Sequence, residues 1–84
     1  MKKAALITGG AGFIGSNLIK ILSKSFDQLI CIDNLSRGKK EYLKEILNLY
    51  LIEEDLSNYQ EIKKHIAKFQ SKFVIEEVWH LVAN

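Results

Sequence analysis

The chain has 84 residues, 48% of them hydrophobic and 26% charged, and carries a formal net charge of +2. That length accommodates a single domain with a modest core, and the balance of apolar and charged residues is that of a globular chain, not a disordered one. The small net charge, with lysines spread over helix faces, argues against a nucleic-acid partner, and no run approaches the roughly 20 apolar residues of a membrane span.

Met1-Lys2-Lys3 ahead of Ala4, Ala5, Leu6 and Ile7 has the outline of a secretory leader. The apolar run breaks at Thr8 into glycines without a cleavage site, so a cytoplasmic location is expected. Those four apolar residues instead predict a buried parallel strand, and Ile14, Leu18, Ile21 and Leu22 recur at helical spacing just beyond it. Between them lies Thr8-Gly9-Gly10-Ala11-Gly12-Phe13-Ile14-Gly15. A glycine loop that leaves a strand and opens a helix is the context of a dinucleotide-binding turn. Gly9 allows the tight turn, Gly12 lets a pyrophosphate approach the backbone, and Gly15 allows close packing of helix on sheet. The N–H groups that open the helix, at Phe13, Ile14 and Gly15, supply donors for the diphosphate where the helix dipole favours negative charge.

Gln28 to Asp33 predicts a second strand, with Leu29, Ile30, Cys31 and Ile32 as its apolar run. The single Cys31 has no disulfide partner and reads as a buried strand residue. Asp33 ends the strand about 20 residues beyond the loop, where a carboxylate accepts hydrogen bonds from the adenosine ribose. It would repel a 2′-phosphate, which favours NAD over NADP, although Arg37, Lys39 and Lys40 stand nearby. The plainer reading of Asp33-Asn34 is an Asx turn.

Ser36-Arg37-Gly38 is a turn, Leu43, Ile46 and Leu47 predict a short second helix, and residues 49–52 a third strand. Glu53-Glu54-Asp55-Leu56 follows. Ser57 with Gln60 has the spacing of a capping box, and Ile62, Ile66 and Phe69 form the apolar stripe of a third helix, with Lys63, Lys64 and Lys68 on its solvated side. A fourth strand is expected within residues 74–83, centred on 78–82. His80, among apolar neighbours, reads as a packed core histidine, and His65 has no partners at metal-ligand spacing. The alternation predicts an α/β fold, a parallel sheet of about four strands in the order 3-2-1-4 with crossover helices. Ligands then bind beyond the carboxyl ends of the strands, at residues 9–15, 33–38, 55–56 and 83–84.

The segment Thr8-Gly9-Gly10-Ala11-Gly12-Phe13-Ile14-Gly15-Ser16-Asn17-Leu18, with its TGxxGxxG glycines, resembles the opening of the extended short-chain dehydrogenase/reductase superfamily. Within that superfamily it is similar to the NAD-dependent nucleotide-sugar epimerases and dehydratases, such as UDP-sugar 4-epimerases. The resemblance runs from about Lys3 to Asn84 and implies the amino-terminal part of an NAD-binding Rossmann domain over residues 1–84, without the substrate domain. It implies that Asn34 and Ser36 support Asp33 at the ribose, that Asp55 and the backbone of Leu56 reach the adenine, and that Leu81 and Ala83 lie where the cofactor passes close to the fourth strand. Val82 stands where the family usually has alanine. The family's catalytic Tyr-x-x-x-Lys lies on a helix after a fifth strand. Tyr59 and Lys63 match its spacing but open the third helix, so neither is expected to be catalytic. This chain is accordingly expected to bind NAD or an adenine nucleotide without turnover, with a nucleotide-sugar bound only by a longer parent. The alternatives are a free-standing nucleotide-binding module and one piece of a split enzyme. An unpaired fourth strand, with an uncovered sheet face presenting Leu6, Ile30 and the strand of Trp79, is expected to drive self-association.

Overall fold

Alternation of side chains in the second strand builds a sheet with two apolar faces. In the computed structural model, which describes residues 2–35 and 39–81, Leu29 and Cys31 point to one face and Ile30 and Ile32 to the other, all four buried. A strand apolar on both sides belongs in the interior of a parallel sheet, covered above and below.

The elements run β1 (Lys2–Thr8), α1 (Phe13–Leu22), β2 (Gln28–Ile32), a 3₁₀ turn (Lys40–Tyr42), β3 (Leu49–Ile52), α2 (Tyr59–Gln70) and β4 (Phe73–His80). The strands pair in parallel in the order β3-β2-β1-β4, as the alternation predicted. Helix α1 lies over Ala5, Ile7, Leu29 and Cys31, to which it contributes Ile19 and Leu22; Leu43 closes the same cluster. Helix α2 covers the opposite face, where Ile62 meets Ile30, Ile32 and Ile52, and Ile66 and Phe69 pack beside them. The Phe69 ring meets Tyr50 edge-on, with centroids 5.0 Å apart.

Four local expectations are corrected. The buried stripe of α1 runs through Gly15, Ser16, Ile19 and Leu22, while Ile14 and Ile21 are exposed. The glycine loop sets the rotation of this helix, because Gly15 must seat on the backbone of Gly9 and Gly10. The second helix is reduced to a single 3₁₀ turn: Leu43 is buried and Ile46 half-buried, but Leu47 is 98% exposed. Two anchors three residues apart suit i→i+3 bonding, and such a short segment has too little to bury to nucleate an α-helix. The capping box does not form. Asn58 is the N-cap of α2 and makes no side-chain cap bond. Ser57 donates its backbone N–H to Asp55 Oδ1 at 2.8 Å, and the Asn58 amide donates to Glu54. Finally, β4 begins at Phe73, earlier than expected, and a bulge opposite Ala4 and Ala5 sets Ile75 and Glu77 against them.

Candidate functional site at the carboxyl edge of the sheet

The backbone ladder continues one residue past three of the strands. Gly9 N–H donates to Ile32 O at 2.8 Å, Asp33 N–H to Ile52 O at 3.1 Å, and Leu81 N–H to Thr8 O at 2.8 Å. The connecting loops therefore start from one line at the carboxyl edge, which brings the glycine loop, Asp33 and Leu81 together as expected.

Within the loop the glycines have separate tasks. Gly9 has φ 77°, a left-handed conformation that a Cβ disfavours. At Gly12 the backbone is extended (φ −75°, ψ 175°), and a Cβ there would meet nothing within 4 Å, so the loop presents open space at the start of α1. That first turn holds no acidic residue, and its N–H groups have no acceptor inside the helix. Phe13 and Ile14 project outward, 73% and 77% exposed. Gly15 serves a different purpose from the one expected. A Cβ there would lie 2.8 Å from both Gly10 Cα and Gly9 O, so its absence lets the helix rest on the loop backbone, not on the sheet. Gly10 was not anticipated. Its Cβ would stand 2.6 Å from Ile19 Cδ1 and 2.7 Å from Cys31 Sγ, which makes it the point where the loop presses on the core. Only the doubled Gly9-Gly10 hinted at this.

Asp33 reaches across to the loop. Its Oδ2 accepts the Ala11 N–H at 2.9 Å and its Oδ1 accepts the Leu35 N–H at 2.7 Å, so the Asx turn forms and the carboxylate is also tied to the glycine loop. The Ala11 carbonyl in turn accepts the Lys39 N–H at 3.1 Å. One strand further, the Asn34 side chain bonds to Asp55. The Ser57 backbone N–H, the Ser57 hydroxyl and that Asn34 contact together hold the Asp55 carboxyl below its usual range. Leu56 follows Asp55 and is exposed. Leu81 is half-buried against the α1-side cluster. Ser36 and Ala83, with Arg37, Val82 and Asn84, lie outside the described residues.

His80 corrects its expectation. It is exposed at the end of β4, and its Nδ1 lies 2.6 Å from Thr8 Oγ1, linking the ends of β4 and β1. It has no packed core around it because β4 pairs with β1 alone among the described residues. Cys31 is buried as expected. Burial, with a smaller contribution from Asp33, pushes its thiol up to about 12 against the opposing pull of the Gly10 N–H. Tyr59 and Lys63 touch, the ammonium 5.1 Å from the ring centroid, at the exposed start of α2. No group of three or more potential metal ligands occurs among the described residues. No helix there is long and apolar enough to cross a membrane.

This arrangement can be compared with known proteins. UDP-glucose 4-epimerase of Thermotoga maritima superposes with a TM-score of 0.79 at 33% identity, covering 96% of this chain and 24% of that one. The Bordetella bronchiseptica enzyme WbmG, in complex with NAD, gives a TM-score of 0.82 at 31% identity over 100% of this chain and 26% of its own. A UDP-N-acetyl-alpha-D-glucosaminuronate decarboxylase from Bacillus cytotoxicus is 50% identical over 46 residues, 55% of this chain and 14% of the decarboxylase. The chain thus spans about a quarter of the solved structures it matches and a smaller share of that curated relative. The model of the NAD dependent epimerase/dehydratase family matches residues 5–83, and with the parallel 3-2-1-4 sheet and its glycine loop, the chain belongs to that family.

Proposed function

We propose that this chain binds the adenosine diphosphate half of NAD, as the amino-terminal segment of an enzyme that epimerises or dehydrates a nucleotide-sugar. The observation that carries the reading is the open space at Gly12, at the first turn of α1, beside a carboxylate joined to the same loop. A pyrophosphate fits there because no Cβ obstructs it and the helix start supplies N–H donors and positive dipole. Gly9, Gly12, Phe13, Ile14 and Gly15 hold the diphosphate, Asp33 accepts from the ribose with support from Asn34 and Ser36, and Asp55 and Leu56 meet the adenine. Leu81 borders the path of the cofactor past the end of β4. When bound, NAD supplies a reversible hydride acceptor. The chain's own residues bind and orient its adenosine half.

Of the positive groups near Asp33, Lys39 and Lys40 have partners of their own, and Arg37 lies outside the described residues. Lys40 is paired with Glu53, and Lys39 Nζ sits 6.0 Å over the Tyr42 ring. Calorimetry with AMP, ADP-ribose and NAD tests the reading: all three bind weakly and with similar affinity. NAD binding a hundredfold tighter than ADP-ribose, about 2.7 kcal/mol, contradicts a site confined to the adenosine half. Absence of binding by all three removes the site altogether.

A further inference from the structure

We propose that Asp33 is a positioning residue for the phosphate loop, and that it shapes the loop independently of any contact with the ribose. This rests on the reading of the loop as a nucleotide site. Ala11 is the one residue between Gly9 and Gly12 with a side chain, and it is fully buried. Its neighbours Gly10 and Gly12 have no side chains with which to fix the backbone, so the two polar groups of Ala11 do so. The carbonyl is held by the Lys39 N–H and the N–H by Asp33 Oδ2. A buried N–H needs its acceptor, so removing the carboxylate frees the loop at its centre.

The other carboxylate oxygen fixes Asp33 itself. Oδ1 takes the N–H of Leu35, whose φ of 63° is left-handed and uncommon for a leucine. Leu35 packs on the α1-side cluster. The Asx turn therefore orients the carboxylate towards Ala11, and Asp33 and Lys39 hold the loop by the two polar groups of Ala11. Each oxygen keeps a second lone pair for a ribose hydroxyl, so the two roles are compatible.

Ligand chemistry separates the roles. ADP offers ribose hydroxyls to Asp33, whereas 2′,3′-dideoxy-ADP offers none, and calorimetry on the full 84-residue chain compares the two. If Asp33 positions the loop, Asp33→Ala weakens dideoxy-ADP about tenfold and weakens ADP by more. Asp33→Asn, which keeps one acceptor for two N–H groups, falls between. Ile62→Ala, a cavity on the opposite face of the sheet, lowers stability yet leaves dideoxy-ADP affinity unchanged, so general loosening is not what the assay reads. A dideoxy-ADP affinity within about twofold of wild type in Asp33→Ala overturns the proposal and leaves Asp33 as a ribose reader only. Should wild type bind neither ligand, the nucleotide-site reading fails. Amide exchange at Ala11 in the free chain then decides: faster exchange in Asp33→Asn upholds the tether and unchanged exchange refutes it.

Discussion

Gly15 and Gly12 lie in one loop-helix junction, yet substitution at each has a different consequence. In Gly15→Ala the new methyl stands 2.8 Å from Gly10 Cα, 2.8 Å from Gly9 O and 2.9 Å from Gly10 O. All three obstacles are backbone, so no side chain can swing aside and the loop itself must move. Overpacking of this kind costs about 1–3 kcal/mol, and alanine returns about 1 kcal/mol over glycine inside a helix. Because only backbone can yield, the cost falls at the upper end of that range and the net is a loss of about 2 kcal/mol, which in a domain of this size lowers Tm by roughly 8–16 °C. Gly12→Val is the reverse case. Its backbone is extended, which suits a β-branched residue, and the added atoms enter open space. Stability changes by no more than about 1 kcal/mol, the loss of a favourable N-cap residue. Binding of ADP-ribose falls at least tenfold, about 1.4 kcal/mol, because the side chain occupies the phosphate path. Thermal unfolding followed by circular dichroism, with calorimetry on the same samples, reads both quantities. A Gly15→Ala chain as stable as wild type, or a Gly12→Val chain that binds ADP-ribose normally, refutes this division of labour.

Gly10→Ala meets Ile19 Cδ1 and Cys31 Sγ and should destabilise the chain by about 1–3 kcal/mol; Cys31→Ala in the same chain should recover part of that, which a double-mutant cycle measures. Because the buried Cys31 thiol is pushed up to about 12 from an ordinary 9.0, its neutral form is favoured by folding. Its contribution is complete below about pH 9 and is lost as pH rises towards about 12, so denaturation midpoints should fall across that window and fall less in Cys31→Ala. Asp33→Ala should weaken NAD and narrow its advantage over NADP, and titrations with an unchanged ratio would remove Asp33 from the ribose. At the sheet edge, β4 exposes Val74 and Val78 and should pair with a second copy, but a two-fold antiparallel pairing sets Glu76 against Glu77. Glu76→Gln with Glu77→Gln should therefore raise the association constant in sedimentation velocity, and a monodisperse monomer at high micromolar concentration in both chains excludes this edge.

The strand order and the apolar make-up of the core strands were legible because they follow from period-two alternation and alternating element types, which local sequence carries. Leu29 and Cys31 against Ile30 and Ile32 is such a signal, as is the stripe of Ile62, Ile66 and Phe69. What escaped depends on contacts between distant residues. The exposure of Ile14 and Ile21 follows from the seating of Gly15 on Gly9 and Gly10, which no helical periodicity encodes. The capping box failed because Asp55 captured the Ser57 N–H first. The need for glycine at position 10 comes from Ile19 on the helix and Cys31 on the next strand, and the Thr8–His80 contact joins the two ends of the chain. Leu6 and Ile30, whose exposure an open sheet face would suggest, are covered by the α2-side cluster.

The ladder past the strand ends gives this edge its chemistry. Gly9, Asp33 and Leu81 are each the first residue after their strand, and each is fixed by its N–H on a neighbouring strand's carbonyl. Side chains of a strand alternate faces, so a register slip of one residue would turn a carboxylate at this point to the other side of the sheet. The glycine loop leaves β1 towards the α1 face, and Asp33, the first residue past β2, follows Ile32 of the α2 face. In the alternation it therefore belongs with Leu29 and Cys31, on the side where α1 and Ala11 lie. An insertion between Ile32 and Asp33 would leave every motif intact and yet separate the carboxylate from Ala11. Register, as much as residue type, makes the loop and the acid one site.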